Sequence, residues 1–200
     1  MSATPATGER LRAAHEKFDA ANAEDPNQTT LPDGTVAPKE LIYGRRMTDE
    51  LNRFAPDAPE SVQLAARCQH IRRWKIPRQD YPMDKAGYHK WRTTLYKFHA
   101  DQAAAILEEV GYDAEVIARV GFLLQKKSLR SDPDTQLLED VICLTFLRYY
   151  FTEFAAAHPD EKVIDIVRKT WNKMSDAGHA AALKLDLDPE ALRLVQLALA

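Results

Sequence analysis

The stretch KAGYHKWRTTLYKFHADQAAAILEEVG, residues 85–111, decides the fold class. Tyr88, Trp91, Leu95, Phe98, Ala105 and Ile106 recur at helical spacing on one face, and only Gln102 interrupts the stripe. Gly111 supplies the stop, because a left-handed residue after the last turn costs least without a Cβ. A long helix with one apolar face needs partners to cover it. No segment of the chain alternates apolar and polar residues over a useful strand length, so the partners are expected to be helices.

Working outward, the pattern repeats. A first helix is expected from Glu9 to about Glu24, ended by Asp25-Pro26. The polar run over residues 25–37, DPNQTTLPDGTVA, reads as a long loop, a lid or a packed Ω-loop. A second helix starts near Pro38 with the stripe Tyr43, Met47, Leu51 and Phe54, and Pro56 and Pro59 break it. A third runs from about Glu60 to Trp74, with Leu64, Cys68 and Ile71 on one side and Pro77 as the stop. IPRQDYPMDKAG, residues 76–87, is irregular. Asp113 caps a fifth helix carrying Val116, Val120 and Leu124. The sixth opens after Asp132-Pro133-Asp134 and runs to about Ala157; a seventh covers about Lys162 to Met174, and Asp188-Pro189 starts a short eighth. The expectation is an all-α chain of about seven to eight helices forming one domain over residues 1–200, with residues 1–8 a flexible lead.

Composition narrows the function classes. Apolar residues make up 45% of the 200, a globular proportion. Cys68 and Cys143 lie inside helical patterns without a CxxC pair, which points to a reducing, cytoplasmic setting. No apolar run approaches membrane-spanning length, and MSATPATGER has no apolar signal core. The net charge of −3 argues against a nucleic-acid partner. Its distribution is uneven, however. Residues 67–99 hold nine Lys or Arg against Asp80 and Asp84, which leaves −10 for the remainder. Such polarity draws an anion to one face.

Candidate residues fall on that basic stretch and on one later helix. His70 sits between an apolar and a basic stripe, where a helix–helix seam histidine is the ordinary alternative. His99 shares a side with Arg92, next to the aromatic face, and again a hydrogen-bonded core histidine is the alternative. Asp140, in LLEDVICLTFL, stands amid Leu137, Cys143, Leu144 and Leu147, with Gln136 one turn earlier. A carboxylate there needs an arginine, a histidine or a metal, since burial without a partner costs several kcal/mol. Arg73, Arg78 and Arg92 suit bidentate contact with phosphate or carboxylate; Tyr81 lies beside Arg78, and Lys127 is one of two lysines late in the fifth helix. No P-loop, GxGxxG, HExxH or GxSxG is present.

VQLAARCQHIRRWKIPRQDYP (62–82), GYHKWRTTLYKFHAD (87–101), LRSDPDTQLLEDVICLTFL (129–147) and KTWNKMSDAG (169–178) together resemble the family labelled domain of unknown function 4202, from about Phe18 to Leu185. More distantly, the chain resembles the HD superfamily of helical metal-dependent phosphohydrolases. That family places a histidine on one helix, an adjacent His-Asp pair on the next and a late aspartate. The resemblance implies His70, His99 and Asp140 as catalytic metal ligands for one divalent ion, Zn, Mn or Fe. It implies Arg73, Arg78, Tyr81, Arg92, Lys127 and Gln136 as substrate contacts. The chain departs from the pattern at His99-Ala100-Asp101: the His and Asp are then about 200° apart on an α-helix and face opposite sides. Another register places the pair at Gln125-Lys126, with the metal lost. Two functions follow: a hydrolase of a phosphorylated small molecule or nucleotide, or a non-catalytic binder of a nucleotide, acidic metabolite or RNA on the same scaffold. A homo-oligomer is compatible with either.

Overall fold

The computed structural model describes residues 7–200. The expectation for residues 1–6 lies outside the described residues, while Thr7 and Gly8 already belong to the first helix. The chain is all-α apart from one small hairpin. In order it forms α1 (Thr7–Asn22), β1 (Gln28–Thr30), β2 (Val36–Pro38), α2 (Lys39–Phe54), α3 (Glu60–Arg67), two single 3-10 turns at Arg73–Lys75 and Arg78–Asp80, α4 (Lys85–Val110), α5 (Ala114–Leu124), α6 (Pro133–Tyr149), α7 (Phe151–Ala156), α8 (Asp160–Trp171), α9 (Asp176–Ala182) and α10 (Pro189–Leu199).

Side-chain caps fix five of the ten helix starts among the described residues. Asp84, Asp113, Asp132, Ser175 and Asp188 each accept a backbone N–H from the first turn of the helix that follows. Gly111 closes α4 at φ 88°, as its position foretold. Apolar stripes from α1 to α5 meet in one core around Phe18, Met47, Leu64, Ile71, Leu107 and Leu123. A second core, around Leu144, Phe151, Val167 and Leu194, joins the end of α6 to α7, α8 and α10. The helix α6 serves both: Leu138 and Val141 enter the first core, Cys143 and Leu147 the second.

Four departures from the sequence expectation have local causes. Residues 28–38 pair as an antiparallel hairpin, Thr29 opposite Ala37, within the segment expected to be loop. The sixth helix breaks at Tyr150 (φ −130°), which makes α7 a separate helix. Ser175 caps an additional short helix, α9. These two raise the count to ten α-helices among the described residues. Lastly, α3 ends at Arg67, seven residues before Trp74. In a continuing helix the Arg72 N–H would bond to the Cys68 carbonyl. Here it donates to Asn22 Oδ1 at 2.9 Å, and Arg72 takes a left-handed φ of 50°. His70 and Ile71 therefore lie on a turn rather than on a helix face.

Candidate functional site

The turn after α3 lays His70 against the N-terminus of α2. There Asp25 Oδ2 accepts the Glu40 N–H at 3.0 Å, and Asn22 Nδ2 donates to the Glu40 carbonyl at 3.3 Å. The backbone of Glu40 is thus held from both sides. Its carboxylate Oε2 lies 3.1 Å from His70 Nδ1. The His70 ring stacks on Tyr43, centroids 3.9 Å apart and planes 11° apart. With 24% of its side-chain surface still accessible, His70 keeps one side open to solvent and is not part of the core; that open side is termed the recess.

His99, on the buried face of α4, lies below. Its Nδ1 is 2.8 Å from the Ile71 carbonyl, which can only accept, so Nδ1 carries the proton and Nε2 the lone pair. That Nε2 is buried without a hydrogen-bond partner. The two imidazole centroids are 6.0 Å apart.

Cations surround the pair. The Arg73 guanidinium lies 4.7 Å over the Trp91 ring. Arg92 donates to the hydroxyls of Tyr88 and Tyr96. Lys126 pairs with the buried Glu139 and reaches over Tyr96. Among the described residues neither Arg73 nor Arg92 makes an ion pair, whereas Arg67, Arg119, Arg148 and Arg193 each meet a carboxylate. Burial, then the charges of Arg73, Lys126, Arg92 and Lys39, hold His70 well below the ordinary histidine range. Burial, then His70, lowers His99 to about 3. Both rings are neutral at pH 7. Burial pushes the Glu40 carboxyl up, while Arg73, Lys39 and His99 pull it down. These shifts draw Glu40 and His70 toward each other in basicity across their 3.1 Å contact.

The remaining expected residues divide. Arg73 and Arg92 join the two histidines. Asp140 does not: its Oδ1 accepts the Ser175 N–H at 2.8 Å, and its Oδ2 accepts Ser175 Oγ–H at 2.5 Å. A Cβ on Gly178 would stand 2.6 Å from Asp140 Oδ1, so α9 can press on this carboxylate only because residue 178 is glycine. Gln136 serves the same junction, donating to Asp140 and to the Lys173 carbonyl. Arg78 braces its own loop, donating to the carbonyls of Tyr81 (3.0 Å) and Asp84 (3.4 Å); Tyr81 is half-buried there. Lys127 is exposed, and its neighbour Lys126 occupies the site. Asp101 pairs with Lys97 on the solvent side, as the 200° separation from His99 requires.

Sequence reasoning missed Asn22, Glu40, Tyr43, Lys126 and Glu139. Glu139 carried a signal: it adjoins Asp140 on an apolar helix, and only one of two neighbouring carboxylates can face a given side. Two cavities lie elsewhere, one of about 330 Å³ between α1 and Arg67 and an apolar slot of about 40 Å³ beside Trp171.

Fold and site together define an all-α protein with a recessed pair of neutral imidazoles under a cationic rim. The family described as domain of unknown function (DUF4202) matches residues 12–195, and the chain belongs to it. No curated protein and no solved structure matches the chain. No helix among the described residues is long and apolar enough to cross a membrane.

Proposed function

We propose that the recess binds a phosphorylated small molecule and hydrolyses its phosphoester, with His70 moving the proton. The observation that carries this is the placing of two arginines without ion pairs beside a neutral imidazole that is hydrogen-bonded to a carboxylate. Arg73 and Arg92 have no carboxylate to neutralise, so an anion seated between them meets guanidinium groups with donors to spare. The Glu40 carboxylate accepts a hydrogen bond from His70 Nδ1–H, which leaves the Nε2 lone pair as the acceptor for the ligand or water. His70 takes a proton from the water whose oxygen bonds to phosphorus; the phosphorus–oxygen bond to the ester alcohol breaks, the leaving alkoxide takes up a proton from solvent, and the Glu40 carboxylate steadies the imidazolium until it gives its proton back to solvent. His99 Nε2 is buried beneath His70 and meets no ligand directly; it senses the ligand through the neighbouring imidazole 6.0 Å away. Lys126 gives the phosphate a further donor if it swings from Glu139.

The single divalent metal implied by the HD resemblance does not fit this donor set. Two imidazole nitrogens with anchored Nδ1 atoms favour it, since metal-bound histidines are commonly held this way. The anionic ligands are otherwise engaged: Glu40 on His70 Nδ1, Glu139 on Lys126, Asp140 on Ser175. Among the described residues no three His, Cys, Asp or Glu side chains are grouped to hold an ion. Arg73, Arg92, Lys39 and Lys126 also disfavour a second positive charge. In this reading the chain keeps the histidine pair of an HD-like scaffold and substitutes arginines for the metal's charge. The alternative function, a binder without turnover, uses the same recess.

The test is phosphate release from a panel of phosphomonoesters by wild type, His70→Ala and Glu40→Gln. Loss of the general base lowers turnover by about 10²–10⁴, and Glu40→Gln by less. Saturable binding without turnover in wild type would leave the binding function alone standing.

A further inference from the structure

Beside the recess, the start of α4 and the two 3-10 turns build a ledge of alternating rings and guanidinium groups. Tyr88 keeps 40% of its surface exposed although it is a large aromatic. Trp91 is fixed by Nε1–H donation to the Ile76 carbonyl at 2.9 Å, so its ring cannot turn away. Arg73 lies over Trp91; Arg78 stands 6.0 Å from the Tyr88 ring and 5.9 Å from the Trp91 ring; Arg92 is 5.8 Å from Tyr88 and bonds its hydroxyl. Among the described residues none of these three arginines makes an ion pair. Arg73 and Arg92 belong to the recess as well, so the ledge continues directly from it.

Flat guanidinium and aromatic faces held in place, with one ring open to solvent, stack a further planar ring at little ordering cost. An anion in the recess would carry such a ring across the ledge if a short polar spacer joined the two. We infer that Tyr88, Trp91 and Arg78 take the base of a nucleoside monophosphate whose phosphate lies between Arg73 and Arg92. This rests on the phosphate reading of the recess and names the substrate class for it. A mononucleotide suits the site better than a strand of RNA, because His70 and the buried His99 close the recess at the phosphate end and the chain as a whole is acidic.

The experiment is calorimetric titration of the full chain with AMP, ribose 5-phosphate, adenosine and a single-stranded RNA pentamer, on wild type, Tyr88→Ala and Tyr88→Phe. AMP should bind wild type about tenfold or more tighter than ribose 5-phosphate, the usual worth of one stacked base. Tyr88→Ala should erase that advantage, bringing AMP and ribose 5-phosphate to within about twofold of each other; Tyr88→Phe, which loses the same hydroxyl contact with Arg92 but keeps the ring, should retain most of it. Equal affinity for AMP and ribose 5-phosphate in wild type overturns the ledge and leaves the recess reading intact. Adenosine binding as tightly as AMP, with no binding of ribose 5-phosphate, contradicts the recess reading instead. RNA that displaces AMP at equal phosphate concentration overturns the mononucleotide assignment.

Discussion

His70 and His99 face one another across 6.0 Å, each tied through Nδ1: His70 to the Glu40 carboxylate, His99 to the Ile71 carbonyl. Both keep Nε2 as a free lone pair in cationic surroundings. The stability of the fold and the proposed ligand binding both turn on that arrangement.

Acid should destabilise the fold early. The folded-state basicity of His99 lies near 3 and that of His70 well below 6.5, so the unfolded chain binds more protons below pH 6.5. Their contribution is complete above pH 6.5 and is lost as pH falls toward the folded values. His99 costs about 2 kcal/mol by pH 5, and His70 acts in the same direction. Glu40, raised by burial, works in the opposite sense above its own unfolded value. His15, lowered to about 4 on α1, adds to the acid limb. Denaturant unfolding at pH 7 and pH 5 measures the sum. His99→Asn should flatten the difference by about 2 kcal/mol; an unchanged slope would mean that His99 is not buried neutral.

Asn22 should act as a positioning residue. Its amide holds the Glu40 carbonyl and the Arg72 N–H, and so fixes both halves of the Glu40–His70 contact. Asn22→Ala strips the Arg72 N–H of its acceptor and the Glu40 carbonyl of its second donor, and should cost about 1–3 kcal/mol. A structural role alone would stop there. Here the imidazole resonances of His70 should move as well, while Asn22→Asp should restore only the Arg72 half.

Asp140 should matter to folding and not to ligand binding. Asp140→Ala strips Ser175 of the acceptor for its N–H and hydroxyl and should cost roughly 3 kcal/mol. Binding of a phosphomonoester at a temperature where the variant is folded should be unchanged. A tenfold loss of affinity would return Asp140 to the site.

Purified protein should carry no stoichiometric transition metal, and a chelator should leave phosphomonoester binding unchanged. One equivalent of zinc, iron or manganese by elemental analysis, lost on His70→Ala, would reinstate the metal-dependent hydrolase.

The helices were legible because burial imposes a 3.6-residue period on sequence, and Gly111, Asp113 and Pro133 mark their ends chemically. His70, His99, Arg73 and Arg92 could be singled out by residue type alone. What gathers them could not be read. The left-handed turns at Arg72 and Lys126 occur at residues with no preference for that conformation, and Asn22 secures the first of them from 50 positions away. Glu40 reaches His70 from 30 positions away, with most of α2 and all of α3 between them in the chain. The choice between Glu139 and Asp140 depends on how α6 is rotated about its axis, and a helix buried along most of its circumference leaves no polar face to reveal that.

The most direct measurement is a titration of the imidazole nitrogens, followed by ¹H–¹⁵N correlation, as inorganic phosphate is added at pH 7. The resonances of His70 and His99 Nε2 should shift together along one saturating curve, with those of His158 and His179 unmoved and the response abolished in Arg73→Gln. If the His70 and His99 resonances stay in place while phosphate reaches tens of millimolar (roughly the range that covers weak anion sites), the recess is not an anion site.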